Sequence, residues 1–134
     1  WARGESARSR HNLLYWQDGN WWGAGPGAHS HVGGVRWWNV KHPVRYTAAL
    51  EAGRSPAAAR ELLDGAARLT EKVMLGVRLR DGLAVSELPP AAQTKVGPLV
   101  QWGLVEAEAA ARGSISLTVR GRLLADAVVR ELLE

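Results

Sequence analysis

Between residues 55 and 79 the apolar positions Leu62, Leu63, Ala66, Leu69, Val73, Met74 and Val77 recur at three- and four-residue spacing. That is the pattern of a helix with one buried face. Ser55 suits an N-cap and Pro56 the first helical position, so one helix is predicted from 55 to about 79. Gly65 and Gly76 fall inside it, where a close neighbour or a break would use them. Arg80-Asp81-Gly82 then turns the chain, and a brief turn capped by Ser86 runs to Leu88 before Pro89-Pro90. A second helix is predicted over 91–102, with Val96, Leu99 and Val100 on one side and Gly103 as its stop. Leu104 and Val105 predict a strand. After a turn at Arg112-Gly113, Ile115, Leu117 and Val119 alternate with Ser116 and Thr118 as its returning partner. A final helix is expected over 121–134, with Leu123, Leu124, Ala127, Val128 and Leu132 inward. Helix, turn, helix, two-stranded wing and helix is the winged-helix order.

The front of the chain has no such regular period. Residues 10–31, RHNLLYWQDGNWWGAGPGAHSH, crowd glycines, paired aromatics and three of the four histidines together. Bulky residues from Leu13 to Gln17 precede the turn signal Asp18-Gly19-Asn20. A hairpin over 13–24 and a helical turn over 13–16 both fit, because so short a stretch does not fix a period. Trp21 to Ala24 reads as a strand ended by Gly25-Pro26-Gly27. Gly33-Gly34 marks a turn, 35–40 an extended piece closed by His42-Pro43, and Pro43 opens a short helix that stops near Gly53. Residues 1–10 read as a polar connector.

Composition adds three constraints. With 134 residues and 46% apolar content the chain suits a folded domain with a modest core. Seven tryptophans and no phenylalanine make an unusual aromatic set. Six of these tryptophans precede residue 40, as befits a cleft or interface where a ring buries area and keeps a polar edge. The absence of cysteine excludes disulfides, thiolate catalysis and cysteine-ligated clusters from this chain. No apolar run reaches a membrane span or a secretory signal, and a cytoplasmic location is the expectation. The chain opens on Trp1 and its single methionine is Met74, which suggests a processed product or an excised piece. Of the net charge of +4, residues 1–60 hold eight Lys/Arg against three Asp/Glu, so the positive excess lies beside the aromatic stretch.

Candidate chemistry is sparse. Gly23-Ala24-Gly25-Pro26-Gly27 contains GxGxG, yet a dinucleotide loop must lead into a helix whose amides meet phosphate, and residues 29–34 show no helical pattern. His29 and His31 share a side of an extended segment, but nothing within it completes a metal set. His29 suits a polar contact to something held against this segment, or a simple bond to a turn carbonyl. His11 and Asn12 suit local bracing. The candidate recognition helix offers Gln93, Lys95 and Gln101, and the wing carries Glu106 and Glu108 against Arg112. That charge pattern argues against nucleic-acid binding, although a winged-helix interaction or DNA-binding module is one alternative.

Several stretches resemble the carboxy-terminal part of the oxygen-independent coproporphyrinogen III oxidase-like radical SAM family, in particular its haem-chaperone branch. They are RHNLLYW at 10–16, GAGPGAHS at 23–30, RWWN at 36–39, TEKVMLGVRLRDGL at 70–83 and SLTVRGRLLAD at 116–126. The resemblance implies an α+β chain. Its residues 1–54 would be the last strands of an incomplete TIM-like barrel, and 55–134 a helical, winged-helix-like domain. It further implies a parent that holds a four-iron, four-sulfur cluster through a CxxxCxxC loop outside this chain, together with S-adenosylmethionine. Haem or a porphyrin would be the cargo or substrate, and a haem-acceptor protein a partner. Gly25, Gly27, Ala28 and His29 match the cofactor-lining strand; no catalytic or metal-ligating residue is carried over. The implied roles are haem delivery or, alternatively, oxidative decarboxylation of propionate side chains. The chain by itself would bind no cofactor and perform no catalysis. An exposed barrel edge would offer a route to self-association.

Overall fold

The computed structural model describes residues 3–134; the first residues of the expected connector lie outside it. Two compact units divide between Arg68 and Leu69.

The first unit opens with α1 (Arg10–Trp16), so the helical reading of 13–16 holds and the hairpin does not. Ser9 decides this: its side chain accepts from the Asn12 amide as an N-cap, and His11 meets Tyr15 one turn later. Three strands follow, β1 (His29–Val32), β2 (Val35–Asn39) and β3 (Ala57–Leu62), with α2 (Pro43–Glu51) between the last two. The sheet order is β1-β2-β3 and both pairings are antiparallel. Strands of a TIM-type barrel run parallel with a helix after each. The chain therefore shows an open antiparallel sheet rather than a closed barrel wall. The strand expected over 21–24 shrinks to one bridge, Trp21 opposite His31.

The expected helix over 55–79 is corrected. Ala57–Leu62 is the edge strand β3, and α3 runs only from Gly65 to Gly76. The Ser55 hydroxyl does accept from the Ala57 amide, but it closes a local turn. Asp64 supplies the cap, its carboxylate accepting from the Ala67 amide at 2.7 Å. Pairing with β2 overrides the helical propensity of Ala57-Ala58-Ala59, as tertiary contacts commonly do.

The second unit holds every buried apolar side chain among the described residues, from Val73 to Leu132. Its elements are the end of α3, β4 (Leu83–Ala84), α4 (Pro90–Thr94), α5 (Val96–Gln101), α6 (Ala107–Ala111), β5 (Ser114–Ile115), α7 (Val119–Leu123) and α8 (Ala125–Leu133). The single helix expected over 91–102 is broken at Lys95. Pro98 has no N–H for the Thr94 carbonyl, and its ring crowds that oxygen. The expected wing is reduced. Val105 and Leu117 bridge, while the alanines of 107–111 form α6 and β5 pairs with β4. The last helix is likewise two, and Leu123 and Leu124 point outward, not inward; Val128 and Leu132 are buried as expected, joined by Ala125 and Val129. Gly121 explains the break in face. It packs against the Leu104 carbonyl, where a Cβ would overlap the oxygen.

Candidate functional site: a glycine loop and a two-faced aromatic sheet

The first unit buries polar groups where a core would normally bury apolar ones. Its buried side chains are Ser30, His31 and Asn39. Two of them hold the loop 23–28. The Ser30 hydroxyl accepts from the Gly23 amide at 2.9 Å, and Asn39 Nδ2 donates to the carbonyls of Gly23 at 3.3 Å and Gly25 at 3.0 Å. The loop's own donors also point inward. Gly25 N–H meets the Tyr46 hydroxyl, Gly27 N–H the Val40 carbonyl and Ala28 N–H the Gly25 carbonyl. Gly25 and Gly27 have φ of 105° and 68°, which only glycine adopts without strain. Pro26 has no N–H at all. This is a pinned turn, not a phosphate cradle: the amides of Gly23, Gly25, Gly27 and Ala28 are already bonded and no helix follows it.

Asn39 is the central fastener, and Asn39→Ala is expected to cost about 2 kcal/mol of first-unit stability, by leaving the part-buried Gly23 carbonyl without its donor and the Gly25 carbonyl with the Ala28 amide alone. Hydrogen exchange at residues 28–31 would rise while the second-unit amides stay protected. Unchanged exchange at 28–31 would contradict the fastening role.

Strand register separates two faces. His29 pairs with Trp38 and His31 with Arg36 on one; Ser30 pairs with Trp37 on the other, with Arg60 across β2-β3 beside Trp37. On the first face an edge-to-face series runs from His11 through Tyr15 and Trp21 to His31, with centroid spacings of 5.0, 4.8 and 4.9 Å. His29 stands exposed at the start of β1, its ring 5.8 Å from that of Trp38. His31 is its opposite in depth, only 2% exposed, with neither ring nitrogen hydrogen-bonded and Nδ1 3.5 Å from an Asp18 carboxylate oxygen. So the two histidines do share a face, as alternation requires, but not an environment. Asp18, at φ 54°, was not legible as a partner; it read as a turn residue only.

On the second face Trp22 meets Trp37 edge-to-face at 4.8 Å and is 75% exposed. These indoles, with Val35, Ser55, Ala57, Ala58, Ala59 and Arg60, line a groove of about 390 Å³. Sequence reading found the tryptophans but placed Arg60 on a helix, so it missed the groove.

Within the second unit, two of the polar groups considered for base reading are engaged internally. Gln93 Nε2 donates to the Leu88 carbonyl and Lys95 Nζ to the Glu131 carbonyl at 2.7 Å. Among the described residues no group of three or more His, Asp or Glu could hold a metal, and no helix is long and apolar enough to cross a membrane. With no cysteine, the chain offers no thiolate to an iron–sulfur cluster.

No family model matches the chain. In fold, 87% of it corresponds to 28% of the coproporphyrinogen III oxidase HemN of Escherichia coli, a radical SAM enzyme, with a TM-score of 0.56 and 21% identity. An α+β arrangement found in that class of protein is therefore established. In sequence, the chain is 47% identical over 133 residues to the heme chaperone HemW of Mycobacterium tuberculosis, covering 99% of this chain and 33% of the relative. The heme chaperone HemW of Lactococcus lactis subsp. lactis is 29% identical over 79 residues, covering 59% of this chain and 20% of that protein. The chain is thus highly similar to HemW by sequence and shares a fold with the coproporphyrinogen oxidase; it spans about one third of the length of the M. tuberculosis relative and less of the other two proteins.

Proposed function

We propose that this chain forms one wall of a haem-handling protein of the HemW type, which delivers haem to acceptor proteins. The observation that carries the reading is the 47% identity to a heme chaperone across nearly the whole chain. The physical character of the first unit supports it. An open sheet with polar fasteners beneath and tryptophans on both faces suits contact with a flat apolar ligand or a covering layer. In this reading the antiparallel sheet completes a larger barrel-like enclosure in the parent, and the second unit is a winged-helix-like support. The four-iron, four-sulfur cluster and S-adenosylmethionine belong to the parent's other part, and the work is done in the cytoplasm.

The loop is assigned to cofactor contact through Gly25, Gly27, Ala28 and His29. The bonded amides of the three small residues leave them a steric role, letting a ligand come close to backbone. His29 then supplies the polar group, since its ring stands exposed. A second reading, oxidative decarboxylation of porphyrinogen propionates, is favoured by the fold likeness to the oxidase.

Haem titration of the 134-residue chain, followed by mixing with a haem-free acceptor, tests the first reading. A Soret band that forms on the chain and moves to the acceptor is expected. Failure to bind haem would overturn it. Decarboxylation of coproporphyrinogen III by the cluster-loaded full-length relative of M. tuberculosis would favour the second.

A further inference from the structure

Resting on the haem-handling reading, we propose that the groove at Trp22, Trp37 and Arg60 is the porphyrin seat, and that it recognises the macrocycle by ring stacking and one carboxylate, without ligating its metal. Trp22 and Trp37 stand at 77° to one another, a corner that presents one indole face and one indole edge. A flat aromatic ring laid on the face meets the edge of the other, the geometry aromatic pairs prefer. Ala57, Ala58 and Ala59 bring no side chain larger than a methyl group to the lining, so a wide ring approaches the strand without meeting a bulky side chain.

Arg60 fixes the charge of the occupant. Its position across from Trp37 puts it on the same face of the sheet. Among the described residues it has no carboxylate partner. A planar guanidinium beside an aromatic corner selects a ligand that is flat and carries a carboxylate, and it takes that carboxylate through paired N–H donors. A porphyrin propionate meets both conditions.

The lining also settles what the groove does not do. It contains no imidazole, thiolate or thioether. His29 lies on the opposite face, so a ring in this groove is held by its periphery and its metal stays open. A carrier that holds the ring in this way leaves the axial position on the outer side free for a ligand of a recipient.

Porphyrin titrations of the 134-residue chain test the assignment, read by the Soret band for haem and by fluorescence for the iron-free rings, with circular dichroism confirming the fold of each variant. Iron-free protoporphyrin IX is expected to bind within about threefold of haem, since the metal is not ligated, while its dimethyl ester binds about tenfold more weakly. Arg60→Gln should weaken the free acid by about five- to tenfold and leave the ester unchanged. Trp22→Ala should weaken both by about tenfold. Both side chains are exposed, so neither change threatens the fold. Equal binding of ester and acid, or full affinity in Arg60→Gln, overturns the groove as the seat. If His29→Ala alone abolishes binding, the porphyrin lies on the other face. The haem-handling reading then survives and this inference falls. If no porphyrin binds the unaltered chain, both fall.

Discussion

Gly23→Ala is expected to unmake the glycine loop while the second unit stays folded. A Cβ on Gly23 would overlap the His29 carbonyl oxygen and lie 2.8 Å from its carbon, both backbone atoms that cannot rotate away. Gly23 is also tied at both its polar groups, its N–H to Ser30 and its carbonyl to Asn39. Moving the strand to admit a methyl group therefore breaks the fastening of the loop as well. A cost of about 3 kcal/mol or more is expected, the upper part of the range for overpacking. Amide exchange at Ser30 and His31 should accelerate to near the unfolded rate, with no change at Leu99 or Ile115. Protection at Ser30 equal to that of the unsubstituted chain would show that the close approach is not real.

Gly23 also shows how far the sequence could be read. A glycine beside an alanine in an extended stretch leaves room for another backbone to come close, but does not tell whose. The answer, the carbonyl of His29, depends on the turn through Gly25-Pro26-Gly27 returning β1 beside the loop. Asn39 is a stronger case of the same limit. It sat in the quoted stretch RWWN as an ordinary strand residue, and nothing local told that its amide would bond two carbonyls fourteen and sixteen positions upstream. Long-range polar fasteners leave no period behind.

The misread segment 57–62 failed for a different reason. Three alanines, Arg60, Glu61 and Leu62 form a good helix on propensity, and Leu62 and Leu63 extended a real stripe that begins later, at Leu69 and Val73. What decides the matter is the available strand β2, with its unpaired edge and the large indoles of Trp37 and Trp38. Alanine is the residue that fits beside such rings, so a run that reads as helical becomes the edge of the sheet. That edge has no further strand beside it among the described residues. Arg60 and Glu61 give it charge, a feature that discourages indiscriminate pairing. By contrast, the apolar pattern of the second unit was largely readable. Val96, Leu99, Ile115, Leu117, Val128 and Leu132 are all buried there, because each element contributes a local stripe to one shared core. The resemblance of GAGPGAHS and HNLLYW to the haem-chaperone branch carried more of the function than any residue's chemistry did.

The two units should consequently differ in what a single core deletion does. Leu99 is fully buried in the second unit, within a cluster that includes Val73, Val96, Ile115 and Val128. Leu99→Ala is expected to cost about 2–5 kcal/mol, lost transfer energy plus an incompletely collapsed cavity. That is a large share of the total for a domain of this size. Among the described residues no equivalent substitution exists in the first unit, because its fully buried side chains are Ser30 and His31, and its tryptophans from Trp16 to Trp38 are all partly exposed. Denaturant unfolding of the 134-residue chain, followed by tryptophan fluorescence for the front and far-ultraviolet dichroism for the helices, should give two transitions, the first at lower denaturant. Leu99→Ala should shift only the second. Added protoporphyrin should move the first upward by mass action, since a ligand that binds only the folded sheet stabilises it. A single coincident transition that Leu99→Ala shifts as a whole would mean that the first unit draws its stability from the apolar core. The open sheet would then not be a surface awaiting its cover.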